Sequence, residues 1–160
     1  MATNTTAPFT DFAFSELWED CLYGRSEYIE PAPTSEMVAR VEARLGYRLP
    51  TSDVALMRSL NGGISIRRCF PAPDIGWAED HVSICACKGI GATKCWSLCG
   101  ALGSRHWIDN WDYPALGNYF GDCPTSGHQM FALVEVDEQL RWCAPSATLR
   151  AQLSGAGSGA

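Results

Sequence analysis

Residues 103–131 read Gly-Ser-Arg-His-Trp-Ile-Asp-Asn-Trp-Asp-Tyr-Pro-Ala-Leu-Gly-Asn-Tyr-Phe-Gly-Asp-Cys-Pro-Thr-Ser-Gly-His-Gln-Met-Phe, and this stretch decides the fold. A polar loop at residues 121–128 lies between two apolar runs, 116–120 and 130–134. Apolar runs joined by Gly, Asp, Pro and Ser are typical of a strand, a loop and a second strand. We therefore predict a β-hairpin here, around which the rest of the molecule closes.

A first helix is predicted from the spacing of apolar residues near the N-terminus. They recur at i, i+3, i+4, i+7 and i+8, which is the spacing of one helical face. Asp11 is a suitable N-terminal cap, and Gly24 is a suitable C-terminal stop. The residues of this face are Phe14, Leu17, Trp18, Cys21 and Leu22.

Two more helices are predicted before the sheet begins. The second spans residues 34–45 with a Thr or Ser cap, and Gly46 stops it because glycine accepts a left-handed backbone. The third follows a Leu-Pro connector and is capped by Thr51 or Ser52. Asn61-Gly62-Gly63 ends it for the same conformational reason.

After the third helix the periodicity changes to short alternating runs, which indicate strands at 64–70 and 81–87. Helices followed by strands are typical of an α+β fold. We predict a single domain in which N-terminal helices pack on one face of a mainly antiparallel sheet. The domain spans residues 11–145, between a disordered N-terminus at 1–10 and a flexible, divergent C-terminal tail at 146–160.

Composition and charge exclude several classes of protein. The 160 residues are 46% hydrophobic and 19% charged, which is typical of a globular domain with a substantial core. A net charge of −6 disfavours a nucleic-acid partner and favours a basic protein partner. We see neither a membrane-spanning apolar run nor a secretory signal, so a cytoplasmic protein is expected. Its eight cysteines are then expected to be reduced and mostly buried.

The polar loop of the hairpin contains the residue types of a thiol enzyme. Cys123 would be the nucleophile, His128 the base and Asp122 the residue that orients the base. However, all three lie in one loop, and Pro124 restricts the backbone of Cys123. The alternative is a loop whose polar side chains bond to its own amides. We therefore expect no catalytic residues.

Four cysteines close together in sequence raise the alternative of a zinc site. Structural zinc sites usually have tighter Cys-x-x-Cys spacing than this segment offers. Alternate residues of a strand share one face, so burial among apolar neighbours explains the thiols equally well. We expect no metal and no cofactor, and zinc remains the alternative at Cys85, Cys87, Cys95 and Cys99.

Aromatic and acidic residues before the hairpin are the candidate partner-binding set. Aromatic side chains are enriched at protein interfaces, and an acidic rim would attract a basic partner. Core packing and a solvated loop face would explain the same residues. The predicted contact residues are Trp77, Glu79, Asp80, Trp107, Asp109, Trp111 and Asp112.

With helices and hairpin placed, the chain resembles the SUKH superfamily of bacterial toxin-immunity proteins and fungal cell-wall assembly regulators. The resemblance covers residues 18–133 and rests on Glu42-Ala-Arg-Leu-Gly-Tyr-Arg-Leu-Pro50, Leu56-Met-Arg-Ser-Leu-Asn-Gly-Gly63, Trp111-Asp-Tyr-Pro114 and Gly121-Asp-Cys-Pro-Thr-Ser-Gly-His128. The positions that it marks as structural are Leu49, Pro50, Asn61, Gly62, Gly63, Trp111, Tyr113, Pro114, Gly121, Asp122, Pro124, Gly127 and His128.

The resemblance implies a non-enzymatic immunity protein that neutralises a polymorphic or contact-dependent bacterial toxin by direct binding. Its partner would be a toxin domain. A regulatory scaffold or ligand-binding module of the same fold is the alternative, ahead of a zinc-binding or cysteine-dependent enzyme. After Leu133 the sequence departs from the family pattern, which places the family's last strand and final helix in doubt.

Overall fold

Within the residues that the structure describes, the chain forms four α-helices and two antiparallel sheets. The computed structural model describes residues 12–71, 81–115, 117–124, 129–133 and 140–143, together with Phe9. The helices are α1 (Leu22–Glu27), α2 (Ser35–Leu45), α3 (Thr51–Ser59) and α4 (Ser104–Trp111). The strands are β1 (Gly63–Ile64), β2 (Cys69–Pro71), β3 (His81–Ser83), β4 (Ala86–Cys87), β5 (Gly117–Asp122), β6 (Gln129–Leu133) and β7 (Leu140–Cys143). The predicted single α+β domain is confirmed.

Five strands make the main sheet, in the order β1-β4-β5-β6-β7, while β2 and β3 form a separate pair. All pairings are antiparallel, with Cys87 opposite Gly121 and Tyr119 opposite Phe131. The predicted hairpin is therefore confirmed as β5 and β6. Its first strand runs further than predicted, through Asp122, because pairing with β6 resumes after a register shift that follows Tyr119.

A strand is present beyond the point where the family pattern is lost. β7 pairs with β6, with Phe131 opposite Arg141. Residues 140–143 therefore occupy an edge of β6 that would otherwise be open. The final helix falls outside the described residues, as do the predicted tail at 146–160 and, apart from Phe9, the N-terminal segment at 1–10.

The predicted first helix is wrong. Its stretch forms a short 3-10 turn at Phe14–Glu16 and then an extended segment before α1. In the extended segment Trp18 makes a β-bridge with Ser65, the residue that follows β1. Pairing with this distant segment replaces local helical hydrogen bonds. Gly24, the predicted stop, lies inside α1, where its amide donates to Cys21 Sγ at 3.4 Å. Tertiary pairing has overridden the helical spacing.

The second and third helices are confirmed, with differences at the two ends of α3. Thr34 caps α2 by accepting a bond from the Met37 amide at 3.1 Å, and Gly46 ends it with φ of 81°. For α3 the cap position is Pro50, which offers no side-chain bond, and Thr51 is already helical. The φ of −57° at Pro50 is the value its ring imposes, so backbone stiffness sets the entry into α3.

The main hydrophobic core joins α2 and α3 to the sheet and to the segment that follows β4. Met57 and Ile90 are fully buried at its centre, and Leu49 of the connector before α3 is 7% exposed. Packing of the helices on one face of the sheet stays a prediction. The buried members of this core are Val41, Leu45, Leu49, Met57, Ile84, Cys87, Ile90, Leu98, Cys99 and Phe120.

Asn61 connects three segments of the chain. Its Nδ2 donates to the carbonyls of Pro31 at 2.6 Å and Ile90 at 2.9 Å, and its Oδ1 accepts from the Ile90 amide at 2.7 Å. The following Gly62 has φ of 90°, and a Cβ there would lie 2.5 Å from the carbonyl oxygen of Tyr28. The predicted left-handed stop of α3 at these residues is wrong, because the helix ends at Leu60 in an extended conformation with φ of −156°. Asn61 and Gly62 instead hold the segment after β4 against the N-terminal part of the chain.

We expect Asn61→Ala to lower the free energy of unfolding by roughly 3 kcal/mol, because buried backbone groups of Ile90 lose their partners. Urea unfolding followed by tryptophan fluorescence measures the change. Asn110→Ala, which removes an exposed amide from α4, is the control and should cost less than about 0.5 kcal/mol. Equal losses in the two variants would contradict the role of Asn61.

Asp53 is a buried carboxyl group in the first turn of α3. It is 4% exposed, and neither carboxyl oxygen has a hydrogen-bond partner among the described residues. Burial raises its pKa from the ordinary value of 3.8 to about 7. The folded state therefore favours the protonated form, and that contribution to stability is lost as the pH rises through about 7.

We expect Asp53→Asn to match the natural protein in stability below about pH 3.8 and to exceed it by a few kcal/mol above about pH 7. Thermal unfolding over a pH series measures the difference. Asp20→Asn, which changes an exposed carboxylate, is the control. A stability difference between Asp53→Asn and the natural protein that does not change with pH would refute the assignment.

Candidate functional site

Helix α4, which the sequence did not predict, carries the candidate surface. Ser104 Oγ accepts a bond from the amide of Tyr119 at 2.8 Å, so the start of the helix is fixed to β5. Ser104 and Trp107 are buried, whereas Asp109 and Trp111 are exposed. The helix is short and Gly103 gives it no side-chain cap, which removes the usual sequence signals of a helix start.

Trp111 is the large exposed aromatic side chain of α4. Its surface is 52% exposed, and its ring centroid lies 5.7 Å from that of buried Trp107. The indole nitrogen donates to His106 Nε2 at 3.2 Å. The ring is therefore held from two sides while half of it faces solvent, and a side chain held in this way loses little entropy on binding.

Two carboxylates lie beside this tryptophan in the sequence. Asp109 and Asp112 are both exposed. Asp112 ends α4 in a left-handed conformation with φ of 57°, which aspartate tolerates better than most residues. Arg105 adds one exposed positive charge on the same helix. We define the α4 surface as His106, Asp109, Trp111 and Asp112.

The α4 surface includes three of the predicted contact residues. Trp107, a fourth, is 6% exposed and packs with two tyrosines in a second core cluster, so its place is beneath the surface rather than on it. The remaining three, Trp77, Glu79 and Asp80, lie outside the described residues.

A buried ion pair lies beneath this region. The Lys88 ammonium pairs with the Asp122 carboxylate, and the Tyr28 hydroxyl donates to the same carboxylate at 3.1 Å. The Lys88 nitrogen is also 4.7 Å from the centroid of Trp96 and 5.8 Å from that of Trp107. Trp96 stacks on Tyr28 with centroids 5.5 Å apart. One fully buried cation thus has an anionic partner and two aromatic neighbours.

Burial changes the acidity of this group of residues. It lowers the pKa of Lys88, and the neighbouring Asp122 carboxylate opposes that shift. Burial and the same carboxylate raise the pKa of Tyr28, so its hydroxyl stays protonated and keeps donating. The arrangement holds a buried positive charge against a carboxylate that a tyrosine hydroxyl also contacts.

The thiol of the polar loop in the hairpin is held in its neutral form. Burial, followed by the charges of Asp122 and Cys85, raises the pKa of Cys123 to about 12. Thiol nucleophiles need the opposite shift, because the thiolate is the reactive form. The carboxylate of Asp122 already accepts bonds from a lysine and a tyrosine. His128 lies outside the described residues.

The four cysteines of the zinc alternative do not come together. Cys87 and Cys99 belong to the hydrophobic core, while Cys85 and Cys95 are half-buried. In the part of the chain that the structure describes, no group of three or more His, Cys, Asp or Glu residues could hold a metal ion. Burial raises the pKa of Cys87 to about 12, as expected for a thiol that packs as a small apolar residue.

Two of the positions marked by the resemblance, Tyr113 and Pro114, make structural contacts. The Tyr119 hydroxyl donates to the Pro114 carbonyl at 2.7 Å, and Tyr113 is 5% exposed in the second cluster. Pro124 is exposed, and Gly127 and His128 fall outside the described residues.

Sequence reasoning missed Tyr28, Lys88 and Trp96. One signal was available, because Lys88 is the single charged residue in the run Ile-Cys-Ala-Cys-Lys-Gly-Ile at 84–90. A lysine within an apolar run is buried only with a partner. Its carboxylate lies 34 residues away in sequence, so no local pattern could have identified it.

Comparison with family models finds no match for this chain, and comparisons with curated proteins and with solved structures find none either. The SUKH resemblance therefore stays a prediction. Among the residues with described positions, no helix has the length and apolar character needed to cross a bilayer.

We expect Lys88→Met or Asp122→Asn alone to lower the free energy of unfolding by roughly 3–5 kcal/mol, because each strands a buried partner. The double variant should lose less than the sum of the two single losses. Chemical denaturation of all four forms gives the coupling energy. Arg67→Gln breaks the exposed Arg67–Glu16 pair as a control and should cost less than about 1 kcal/mol. Additive losses at Lys88 and Asp122 would show that the pair does not act as a unit.

Proposed function

We propose that this chain is a non-enzymatic binding protein, an immunity protein that neutralises a polymorphic or contact-dependent bacterial toxin by direct binding in the cytoplasm. The observation that carries the proposal is the α4 surface. It carries a half-exposed Trp111, and the same helix and its C-terminal cap carry the exposed carboxylates of Asp109 and Asp112. The SUKH resemblance supplies the class of partner.

An ordered aromatic ring on a helix that also carries two exposed carboxylates suits a basic protein partner. The ring of Trp111 rests on Trp107 and bonds to His106, so the partner would meet a surface that is already ordered. Tryptophan is enriched among the residues that dominate binding energy. The carboxylates would attract positive charge and raise the association rate, an effect that salt weakens.

Neutralisation by contact needs complementary shape and charge, and it needs no catalytic group. The neutral thiol of Cys123 and the occupied carboxylate of Asp122 favour this over a cysteine-dependent enzyme. The seven cysteines that precede β7 are free, which suits a reducing compartment. A blocker of this kind would act where the toxin attacks, inside the producing cell.

The test uses the toxin domain encoded beside the gene for this chain. Co-expression of the two should restore colony growth that the toxin alone abolishes, and the purified proteins should form a stoichiometric complex. Rescue with no complex would contradict direct binding. Failure of both would remove the immunity assignment.

We expect Trp111→Ala to weaken that complex at least tenfold, because hot-spot tryptophans contribute roughly 2 kcal/mol or more. Asp109→Asn combined with Asp112→Asn should slow association and reduce its dependence on salt. Surface plasmon resonance at several salt concentrations measures both effects.

The controls keep residue type and exposure similar but lie off the α4 surface. Tyr23→Ala removes an aromatic side chain that is 55% exposed on α1, and Glu36→Gln removes an exposed carboxylate on α2. Neither should change the affinity. If Tyr23→Ala weakens the complex and Trp111→Ala does not, the binding surface lies elsewhere.

A further inference from the structure

A cavity of about 300 Å³ lies between α2 and the segment at residues 91–99, and it shares no residue with the α4 surface. Its volume is at the lower end of the range for small-molecule pockets. One wall comes from α2, and the other comes from the loop that follows Ile90. The lining residues are Glu30, Met37, Arg40, Val41, Arg44, Gly91, Ala92, Thr93 and Cys99.

Two arginines give this cavity its positive charge. Arg40 and Arg44 are four residues apart on α2, so their side chains extend from the same face. Both are exposed, and neither takes part in an ion pair with a described residue. Guanidinium groups bind carboxylate and phosphate through paired hydrogen bonds.

The single acidic residue of the cavity is already saturated. The buried Glu30 carboxylate accepts bonds from the amides of Thr93 and Lys94 and from the hydroxyls of Thr93 and Ser97. Burial works to raise the pKa of Glu30, but these bonds outweigh it and lower the pKa, so the group is ionised at neutral pH. A carboxylate has about four acceptor sites, so Glu30 has none left for a ligand cation.

The remainder of the lining is largely apolar. Met37, Val41 and Ala92 supply hydrocarbon surface, and Cys99 adds a buried thiol. Burial raises the pKa of Cys99, and the positive charge of the Arg44 guanidinium opposes that shift. An apolar interior with a cationic rim suits a ligand with an apolar body and one anionic group.

We propose that this cavity binds a small organic anion, with its acidic group on Arg40 and Arg44 and its apolar body against Met37, Val41 and Ala92. This role is separate from toxin neutralisation, since the two sites use different residues. A ligand here would stabilise the contact between α2 and the 91–99 loop.

Three probes of equal chain length test the selection by charge. Isothermal titration of the full chain with octanoate, octanol and octylamine compares an anion, a neutral molecule and a cation. Octanoate should bind with 1:1 stoichiometry and about tenfold more tightly than octanol, because it adds charge-assisted hydrogen bonds. Octylamine should bind more weakly than octanol. No binding of octanoate, or equal binding of octylamine, would overturn the proposal.

Variants locate the binding. Arg40→Gln with Arg44→Gln should reduce octanoate affinity about tenfold, to the level of octanol. Arg48→Gln with Arg58→Gln removes two exposed arginines outside the cavity and should leave the affinity unchanged. Ala92→Trp places a large ring at an exposed position of the rim and should abolish binding of both probes. Thermal unfolding confirms that each variant is folded.

Equal loss in the two arginine pairs would show that net charge alone attracts octanoate and would overturn the assignment. Octanoate binding that survives Ala92→Trp would do the same. Neither result bears on the α4 surface, because toxin binding is measured with a different partner.

Discussion

The pairing of Lys88 with Asp122 is the interaction on which much of this fold depends. A buried ammonium without a partner would cost several kcal/mol, so the fold must bring a carboxylate to it. The ion pair joins the end of β4 to β5, and the same carboxylate fixes Tyr28 by accepting a bond from its hydroxyl. Tyr28 in turn stacks on Trp96, and Trp107 lies at the edge of the same cluster. The buried charge of Lys88 therefore stabilises the aromatic packing that supports α4 and its exposed tryptophan.

A second buried charge, the Glu30 carboxylate, organises the segment between β4 and α4. Residues 88–103 form neither helix nor strand, so their backbone groups need partners other than a ladder of regular bonds. Glu30 supplies acceptors for the amides of Thr93 and Lys94, and Asn61 supplies both a donor and an acceptor for Ile90. These side chains give the loop a fixed shape beside α2. The loop can form one wall of the cavity because its backbone polar groups have hydrogen-bond partners inside the protein.

The strongest local signals in the sequence gave correct predictions. The second helix has a threonine cap, a regular apolar face and a terminal glycine, and all three agree with the structure of α2. The hairpin was equally clear, since two apolar runs and a polar loop fit one local motif. These features depend on neighbours in sequence, so a single chain reveals them.

Predictions failed where distant contacts decide the local structure. Trp18 fits a helical face, yet it bridges to Ser65 and the chain there is extended. The exposure of Trp111 and the burial of Trp107, four residues apart, depend on how α4 sits on β5. Judged by its residue type alone, Lys88 would be predicted to lie at the surface, because its partner belongs to another strand. Three of the four residues of the α4 surface nonetheless belong to the predicted contact set, since aromatic and acidic residues cluster in that segment.

The bond between Tyr28 and Asp122 spans 94 residues of sequence, and this has a consequence for how the protein is made. During synthesis, the N-terminal segment leaves the ribosome long before β5 exists. The capped helix α2 has the signals to form early, but Tyr28 must wait for a carboxylate that emerges much later. Closing so long a loop carries an entropy cost that local helices do not face, and chains dominated by such contacts fold slowly. Until β5 is made, Tyr28 and Lys88 both lack the one carboxylate that pairs with them in the folded protein.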